Sequence, residues 1–186
     1  MILSLTGPSG VGKTTLLHNL LRTLPNAHPL ESITTRAPRS SDEPGEYRYV
    51  ERGQFEAMES EGVFLWTAHS DTNRYGTRKV IVDSALGSGM YIPILVMQVI
   101  SILYSYADRV HKKNELRLIY IHMNDEEELR KRLQERGDSA QSIERRIKEC
   151  RSWHTDAKAS GVPFLFLEGS LSREKLLEQS VAYMQN

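Results

Sequence analysis

The sequence lacks the features that mark secreted, membrane-embedded and nucleic-acid-binding proteins. Its 186 residues include one cysteine, Cys150, which excludes an internal disulfide and is typical of a reducing compartment. Neither sign of charge is in excess, because 24 basic side chains balance 24 acidic ones, so no global field attracts a nucleic acid or a membrane. We therefore expect one cytoplasmic domain with neither nucleic-acid nor membrane partners, in an oligomeric state that the sequence leaves open.

Long apolar runs are also scarce, and only MYIPILVMQVISILY at 90–104 suggests a membrane segment. It is too short to span a bilayer, and Pro93 and Gln98 interrupt it. We predict instead a buried strand over 91–98 that runs into a helix. Because Met1 leads directly into a strand-like segment, no signal peptide is predicted.

Glycine is concentrated near the N terminus, in the turn GPSGVGKTT. The residues before this turn are apolar and strand-like, and the leucines after it recur at helical spacing. Gly7, Gly12, Lys13 and Thr14 satisfy the P-loop pattern G-x-x-x-x-G-K-[ST]. Glycine lets successive backbone amides turn towards a polyphosphate, and the following helix adds the positive end of its dipole.

The loop predicts a site for a nucleoside triphosphate, taken to be ATP, although preference over other triphosphates stays open. Lys13 is expected to contact the β and γ phosphates, and the Thr14 hydroxyl to bind Mg²⁺, the predicted cofactor. A glycine-rich turn without a ligand is the plain alternative, which the strand–loop–helix context disfavours. The residues predicted to bind ATP are Gly7, Ser9, Gly10, Val11, Gly12, Lys13, Thr14 and Thr15.

Strand-like and helical segments alternate along the chain, which predicts an α/β fold with a mostly parallel sheet flanked by helices. Ligands of such folds lie beyond the carboxyl ends of the strands. Asn124 is predicted to cap a helix that ends at Gly137. The later predicted strands are 28–35, one to which the loop within 36–50 returns, 63–69, 91–98, 116–123 and 162–168. The later predicted helices are 51–62, 78–86, one that follows the strand 91–98, 125–137, 139–159 and 172–184.

A second motif, ESITTRAPRSSDEPGEYRYV, gathers hydroxyl and guanidinium groups around a loop. Arg36 and Arg39 are three residues apart with a proline between them, so they can form a fork for a phosphate. Ser32, Tyr47 and the more distant Tyr75 can complete the hydrogen bonds of that phosphate. A solvated basic loop is the alternative interpretation.

Five segments, in order and at similar spacing, resemble those of guanylate kinases: GPSGVGKTT, SITTRAPR, GEYRYV, NRYGT and LRKRLQERGDSAQSIERRI. The resemblance covers most of the chain and implies a P-loop kinase fold with a small acceptor-binding insertion and a helical lid. It implies one domain, 1–186, with a core at about 1–30, 78–124 and 160–186, an acceptor-binding region at about 31–77 and a lid at about 125–159.

The resemblance also implies roles for single residues. In that family the residues that hold the acceptor phosphate match Ser32, Arg36, Arg39, Tyr47 and Tyr75. The family residue that corresponds to Thr77 contacts the acceptor base.

The basic helices near the C terminus match the lid of guanylate kinases. Arg132 and Arg136 lie one helical turn apart, and Arg146 follows on the next predicted helix. Together with Lys13 they are predicted to be catalytic, because cations stabilise the charge that spreads over a transferring phosphoryl group. A solvated, salt-bridged helix surface is the alternative. Surface positions are predicted for Arg130, Lys131, Arg145 and Arg151.

The base-reading part of the pattern departs from the family. Guanylate kinases read guanine with a glutamate before a tryptophan and with an aspartate at a strand end. Here Leu65 precedes Trp66, and Ile94 and Val96 of PILVMQV stand at the acidic positions. Losing such carboxylates would leave the guanine N1 and N2 donors unpaired, at roughly 1–3 kcal/mol each. We therefore expect an acceptor site whose phosphate-binding residues match the family and whose base-binding residues differ from it.

The segment between Trp66 and Tyr75 is one residue longer than in the family. His69 and Asp71 within it are candidate replacements for the missing contacts, although a plain loop role is the alternative. The last strand ends in LEGS rather than an Asn-Asp pair, which leaves the donor-base contacts open.

Three functions are consistent with the sequence. The favoured one is a kinase that transfers the ATP γ-phosphoryl group to a nucleoside monophosphate of the GMP or dGMP type. The second is a kinase for a non-guanine acceptor such as ribose 1,5-bisphosphate, whose enzymes have a W-x-A-H…Y-G stretch similar to WTAHSDTNRYG. The third is a non-catalytic guanylate-kinase-like binding module, which the intact P-loop disfavours.

Overall fold

The fold is taken from a computed structural model, which describes residues 1–70 and 72–185. Within these ranges the strands are β1 (Ile2–Thr6), β2 (Ala27–His28), β3 (Ser32–Thr34), β4 (Tyr47–Tyr49), β5 (Phe64–Ser70), β6 (Asn73–Arg78), β7 (Met90–Tyr91), β8 (Leu116–His122) and β9 (Leu165–Glu168). The helices are α1 (Lys13–Thr23), α2 (Arg52–Ser60), α3 (Lys79–Gly87), α4 (Met97–Arg109), α5 (Glu126–Glu135), α6 (Ala140–Ala159) and α7 (Arg173–Gln185), with a short 3-10 helix at Lys113–Glu115.

The central sheet has five strands in the order β2-β7-β1-β8-β9, and every pair in it is parallel. Side chains alternate between its two faces, so Leu3 and Leu5 of β1 join a core beneath α1, α5, α6 and α7. Ile2 of the same strand joins a second core with α3 and α4. All five residues of β1 are buried, and its two polar members, Ser4 and Thr6, share a hydrogen bond in the interior. The predicted α/β class with a mostly parallel sheet is confirmed.

A smaller sheet with the order β4-β3-β6-β5 projects from the chain between α1 and α3. The strands β5 and β6 form an antiparallel hairpin, and β6 had no counterpart among the predicted strands. The register shifts between Phe64 and Trp66, so Leu65 is the unpaired residue of a bulge. Trp66 then stands opposite Thr77 and Ala68 opposite Tyr75. The division into core, acceptor-binding region and lid stays a prediction.

Two predicted strands are shorter than the sequence suggested. The segment 28–35 divides into β2 and β3, which belong to different sheets. The strand predicted over 91–98 is limited to β7 and an isolated bridge between Leu5 and Ile94. Pro93 is the physical reason, because it has no amide to donate to a ladder. The run continues as helix α4, and no helix in the described ranges is long and apolar enough to cross a membrane.

The predicted helix cap at Asn124 was wrong by one residue. Asp125 is the N-cap of α5, and its carboxylate accepts hydrogen bonds from the Glu127 and Glu128 amides, both at 3.0 Å. The Asn124 side chain instead donates to Glu168 Oε2 at 2.6 Å, which ties β8 to β9. Both residue types suit a cap, so the sequence could not separate them.

Candidate active site

The glycine-rich turn wraps around the N terminus of α1 with three glycines in the left-handed region. Their φ angles are +141° at Gly7, +90° at Gly10 and +103° at Gly12. A Cβ on Gly7 would lie 2.1 Å from the carbonyl oxygen of Ile121 on β8. Any side chain there would therefore push the loop away from the sheet. The strand–loop–helix context predicted for a P-loop is present.

Lys13 folds back beneath this loop. Its Nζ donates to the carbonyl oxygens of Gly7 at 2.7 Å and Pro8 at 2.6 Å. Burial, followed by the positive charges of Arg136 and Arg146, lowers the pKa of Lys13 to about 7. Three cations thus converge at the point where a polyphosphate on the loop would lie.

Arg136 and Arg146 are brought to the loop from different elements. Arg136 follows α5, and its Nη1 donates to Ser9 Oγ at 2.9 Å. Asp138 holds both arginines, because Arg136 Nε donates to its Oδ2 at 2.8 Å and Arg146 Nε lies 3.5 Å from its Oδ1. Arg146, on α6, also donates to Ser142 Oγ. One carboxylate therefore orients two of the predicted catalytic arginines.

Arg132 lies apart from that cluster. Its Nη1 donates to the Gly169 carbonyl oxygen at 3.0 Å and its Nε to Glu128 at 2.9 Å. It lines a cavity of about 370 Å³ on the other side of the glycine-rich loop. Of the predicted site residues this cavity is also lined by Gly10, Val11, Gly12 and Thr15. The structure thus separates Arg132 from the cavity that contains Lys13.

The larger cavity, of about 570 Å³, is here called the acceptor cavity. It lies between the glycine-rich loop, the small sheet, the start of α4 and the helix α6. It brings together, among the predicted site residues, Gly7, Ser9, Lys13, Thr14, Ser32, Arg36, Arg39, Tyr47, Tyr75, Thr77 and Arg146. Residues that are distant in sequence therefore share one space.

Arg36 is a buried charged side chain of the acceptor cavity, with 7% of its surface exposed. Its Nη2 donates to Asp42 Oδ1 at 2.9 Å, its Nη1 donates to the Ala37 carbonyl oxygen, and its guanidinium lies 5.0 Å from the Tyr47 ring centre. Burial opposes the charge of Asp42, but hydrogen bonds from Arg36 and Tyr49 outweigh it and hold the pKa of that carboxyl below its usual value. The pair keeps the guanidinium charged and oriented.

The other predicted acceptor residues surround Arg36. Arg39 is exposed along the cavity, and its backbone amide donates to Asp42 Oδ2 at 2.7 Å. The rings of Tyr47 and Tyr75 meet edge to face, with centres 6.2 Å apart. The hydroxyl groups of Ser32 and Thr77 are hydrogen-bonded to each other, with their oxygens 2.9 Å apart. Together they form a polar surface with the two arginines.

The remaining wall of the cavity, from β5 and the segment 94–99, is mostly apolar, and it corrects one prediction. Leu65, expected at the base-reading position, is not among the residues that line the cavity, whereas Trp66 is. The bulge in β5 is the reason, because it puts Trp66 on the same face as Thr77 and removes Leu65 from that face. Ile94 and Val96 line the cavity as expected. His69 lines it too, while Asp71 lies outside the described residues.

One side chain of the acceptor cavity, that of Thr14, is suited to bind Mg²⁺. The Thr14 hydroxyl opens into the acceptor cavity at the start of α1, beside Lys13. The described residues contain no cluster of three or more acidic, histidine or cysteine side chains that could hold a metal. Mg²⁺ keeps several waters and readily takes phosphate oxygens, so a single hydroxyl ligand from the protein is compatible with it. Thr14 would hold the ion, which would supply positive charge beside the phosphates.

Several residues of the site escaped the sequence predictions. Asp42 and Asp138 orient arginines, but an isolated aspartate in a loop carries no signal of that role. Trp66 was singled out only as the neighbour of Leu65. Arg145 is exposed, as predicted for a surface position, but it also lines the acceptor cavity together with Trp153 of the same helix. Their helical spacing of eight residues was the only available clue.

Comparisons with known proteins agree with this geometry. A family profile described as guanylate kinase matches residues 1–158. Proteins named guanylate kinase from Trichormus variabilis and Nostoc sp. are 37% and 36% identical over 152 and 153 residues, covering 80% and 81% of this chain and 73% and 74% of theirs. The crystal structure of guanylate kinase from Anaplasma phagocytophilum has a TM-score of 0.70 and 20% identity, over 100% of this chain and 85% of that chain, and shows the common fold.

The family match spans the glycine-rich loop, the small sheet and the helices that carry Arg136 and Arg146. The named relatives support phosphoryl transfer from ATP and give no support to ribose 1,5-bisphosphate as acceptor. The chain belongs to the guanylate kinase family and is a phosphotransferase of the nucleoside monophosphate kinase type.

Proposed function

We propose that this chain transfers the γ-phosphoryl group of ATP to a nucleoside monophosphate, with GMP and dGMP foremost, and releases ADP and the nucleoside diphosphate. One observation carries the proposal: the loop that would hold the ATP phosphates and the arginines that would hold an acceptor phosphate open into one cavity. The names of the relatives support GMP as the acceptor.

The transfer requires positioning and charge neutralisation. An oxygen of the acceptor phosphate forms a bond to the γ phosphorus, the bond from that phosphorus to the β–γ bridging oxygen breaks, and the electron pair leaves with ADP. Arg36 and Arg39 would hold the acceptor phosphate, and Lys13, Arg136 and Arg146 would neutralise the transferring group. No general base is required, because the attacking phosphate oxygen is already anionic.

The smaller cavity is suited to the donor base. It is lined by Gly10 to Gly12, where the phosphates would lie, and by Leu171, Arg173 and Leu176. Arg132 crosses it by its hydrogen bond to the Gly169 carbonyl oxygen. A base placed there would lie outside the acceptor cavity, so donor and acceptor would approach the loop from opposite sides. We assign Arg132 to this donor side.

The test measures ADP release from ATP and Mg²⁺ with GMP, dGMP and ribose 1,5-bisphosphate, with Lys13→Ala as the blank. We expect turnover with GMP and dGMP, with the nucleoside diphosphate found as product. No turnover with any nucleoside monophosphate, while ATP still binds, would overturn the proposal and favour a binding module. Turnover with ribose 1,5-bisphosphate alone would overturn it in favour of that acceptor.

A further inference from the structure

The two sides of the acceptor cavity differ in chemistry. One side carries charge and hydroxyl groups, from the glycine-rich loop and from the β3–β4 region. The other side comes from β5 and the segment 94–99 and is mostly apolar: its polar members are His69 and Gln98, and its apolar members are Trp66, Ala68, Ile94, Leu95, Val96 and Val99. Trp66 is buried on this side, with 5% of its surface exposed. An acceptor nucleotide would place its phosphate on the charged side and its base against the apolar side.

Carboxylates do line the acceptor cavity, and each described one lies near a donor or a cation of the chain itself. Asp42 is bonded to Arg36, to Tyr49 and to the Arg39 amide. Glu46 is 7% exposed and accepts from the Glu43 amide at 3.1 Å. Glu149 is on α6, 3.9 Å from its neighbour Arg145. None of the three belongs to the apolar side.

Guanine and adenine differ in the hydrogen-bond donors and acceptors that they present to this side of the cavity. Guanine presents two donors, N1–H and the N2 amino group, beside the O6 acceptor, and a carboxylate complements the two donors. Adenine presents the N6 donor and the N1 acceptor. An apolar side chain complements neither pattern, whereas the hydroxyls of Ser32 and Thr77 can donate or accept for both purines. The Gln98 amide and the His69 imidazole also carry both a donor and an acceptor, so neither of them favours guanine in the way a carboxylate does.

We infer that Trp66 and Val96 set the base selectivity of this enzyme, and that their apolar side chains let it phosphorylate adenine as well as guanine nucleotides. The inference rests on the proposed function. Apolar pockets separate similar ligands by only about 10- to 200-fold, whereas sites built on paired hydrogen bonds reach far larger ratios. We therefore expect kcat/KM for GMP to exceed that for AMP by no more than about 200-fold.

Two variants add a carboxylate to the apolar side. Trp66→Glu places it on β5, and Val96→Asp places it at the N-cap of α4, where aspartate is a favoured residue. The matched control is Leu65→Glu, which adds the same group one residue away but outside the cavity. We expect both cavity variants to raise the GMP-to-AMP ratio by at least about tenfold, because each gives the guanine donors an acceptor. Leu65→Glu is expected to leave the ratio unchanged.

The ratio is measured on one preparation of each variant, so loss of folded protein cancels from it. If Trp66→Glu does not fold, the GMP-to-AMP ratio of Val96→Asp still tests the inference. A wild-type ratio above about 200-fold would overturn the inference, as would a ratio that neither cavity variant changes. In both cases turnover with GMP would leave the proposed function standing. If the wild type prefers GMP by more than about 200-fold and Glu149→Gln loses this preference, then Glu149 on α6 recognises the base instead.

Discussion

The phosphate side and the base side of the acceptor cavity are built by different means. On the phosphate side three charged groups are held by partners: Lys13 by two loop carbonyls, Arg36 by Asp42, and Arg136 by Asp138. On the base side the described residues of β5 and 94–99 contribute no carboxylate, lysine or arginine to the cavity, and Trp66 is buried there. The first side depends on directed hydrogen bonds and the second on shape.

This difference predicts how each side responds to mutation. A lost cation on the phosphate side removes charge where negative charge develops, so the rate should fall steeply. A changed apolar side chain on the base side should alter the choice of acceptor more than the rate. The two sides can therefore be separated by measuring kcat and the acceptor ratio in the same variants.

The largest effect is expected for Lys13→Ala. Because this side chain would neutralise the β and γ phosphates, we expect kcat to fall about 100- to 1,000-fold, without a change in the GMP-to-AMP ratio of any residual activity. The matched control is Lys148→Ala on α6, an exposed lysine outside both cavities. Activity above a tenth of wild type in Lys13→Ala would contradict a phosphate role.

Arg36→Ala should act on the acceptor more than on ATP. Removing a charge-assisted contact to the acceptor phosphate is expected to raise the KM for GMP about 10- to 100-fold, while the KM for ATP stays within about twofold. Arg48→Ala, an exposed arginine on β4, serves as the control. Equal effects on both substrates would show that Arg36 supports the fold rather than the acceptor.

The pH dependence of ATP binding examines the cation cluster itself. The pKa of Lys13 is lowered to about 7 in the free protein, so this side chain is charged below pH 7 and loses its proton above it. Binding a polyphosphate requires the charged form, and ATP affinity should therefore decline by about tenfold per unit between pH 7.5 and 9. In Lys13→Arg, whose guanidinium stays charged, calorimetry should give a flat profile. A flat profile in the wild type would contradict the expectation.

The smallest effect is expected for Asp138→Asn. The amide keeps the shape of the side chain but loses the charge that orients Arg136 and Arg146. We expect kcat to fall roughly fivefold with little change in either KM, because positioning matters most in the transition state. Asp156→Asn on the exposed face of α6 is the control. A rise in KM at constant kcat would assign Asp138 to substrate binding instead.

Much of the phosphate side could be predicted from local sequence. The glycine spacing before Lys13 and the proline between Arg36 and Arg39 restrict the backbone over a few residues, and the structure has those residues in one cavity. The α/β order of the fold was predictable for the same reason, because apolar periodicity is a local property. The predictions failed where two residues were equally suited locally, as with Asn124 and Asp125.

The sequence by itself determined the chemical groups of this enzyme: a loop that accepts a polyphosphate, arginines for a second phosphate, and apolar residues at 94 and 96. The tertiary structure decided which of them meet. Arg136 reaches Ser9 across 127 residues of sequence, whereas Arg132, one turn away, faces another cavity. A one-residue bulge in β5 presents Trp66 instead of Leu65 to the acceptor, because strand side chains alternate and a register shift exchanges the two faces.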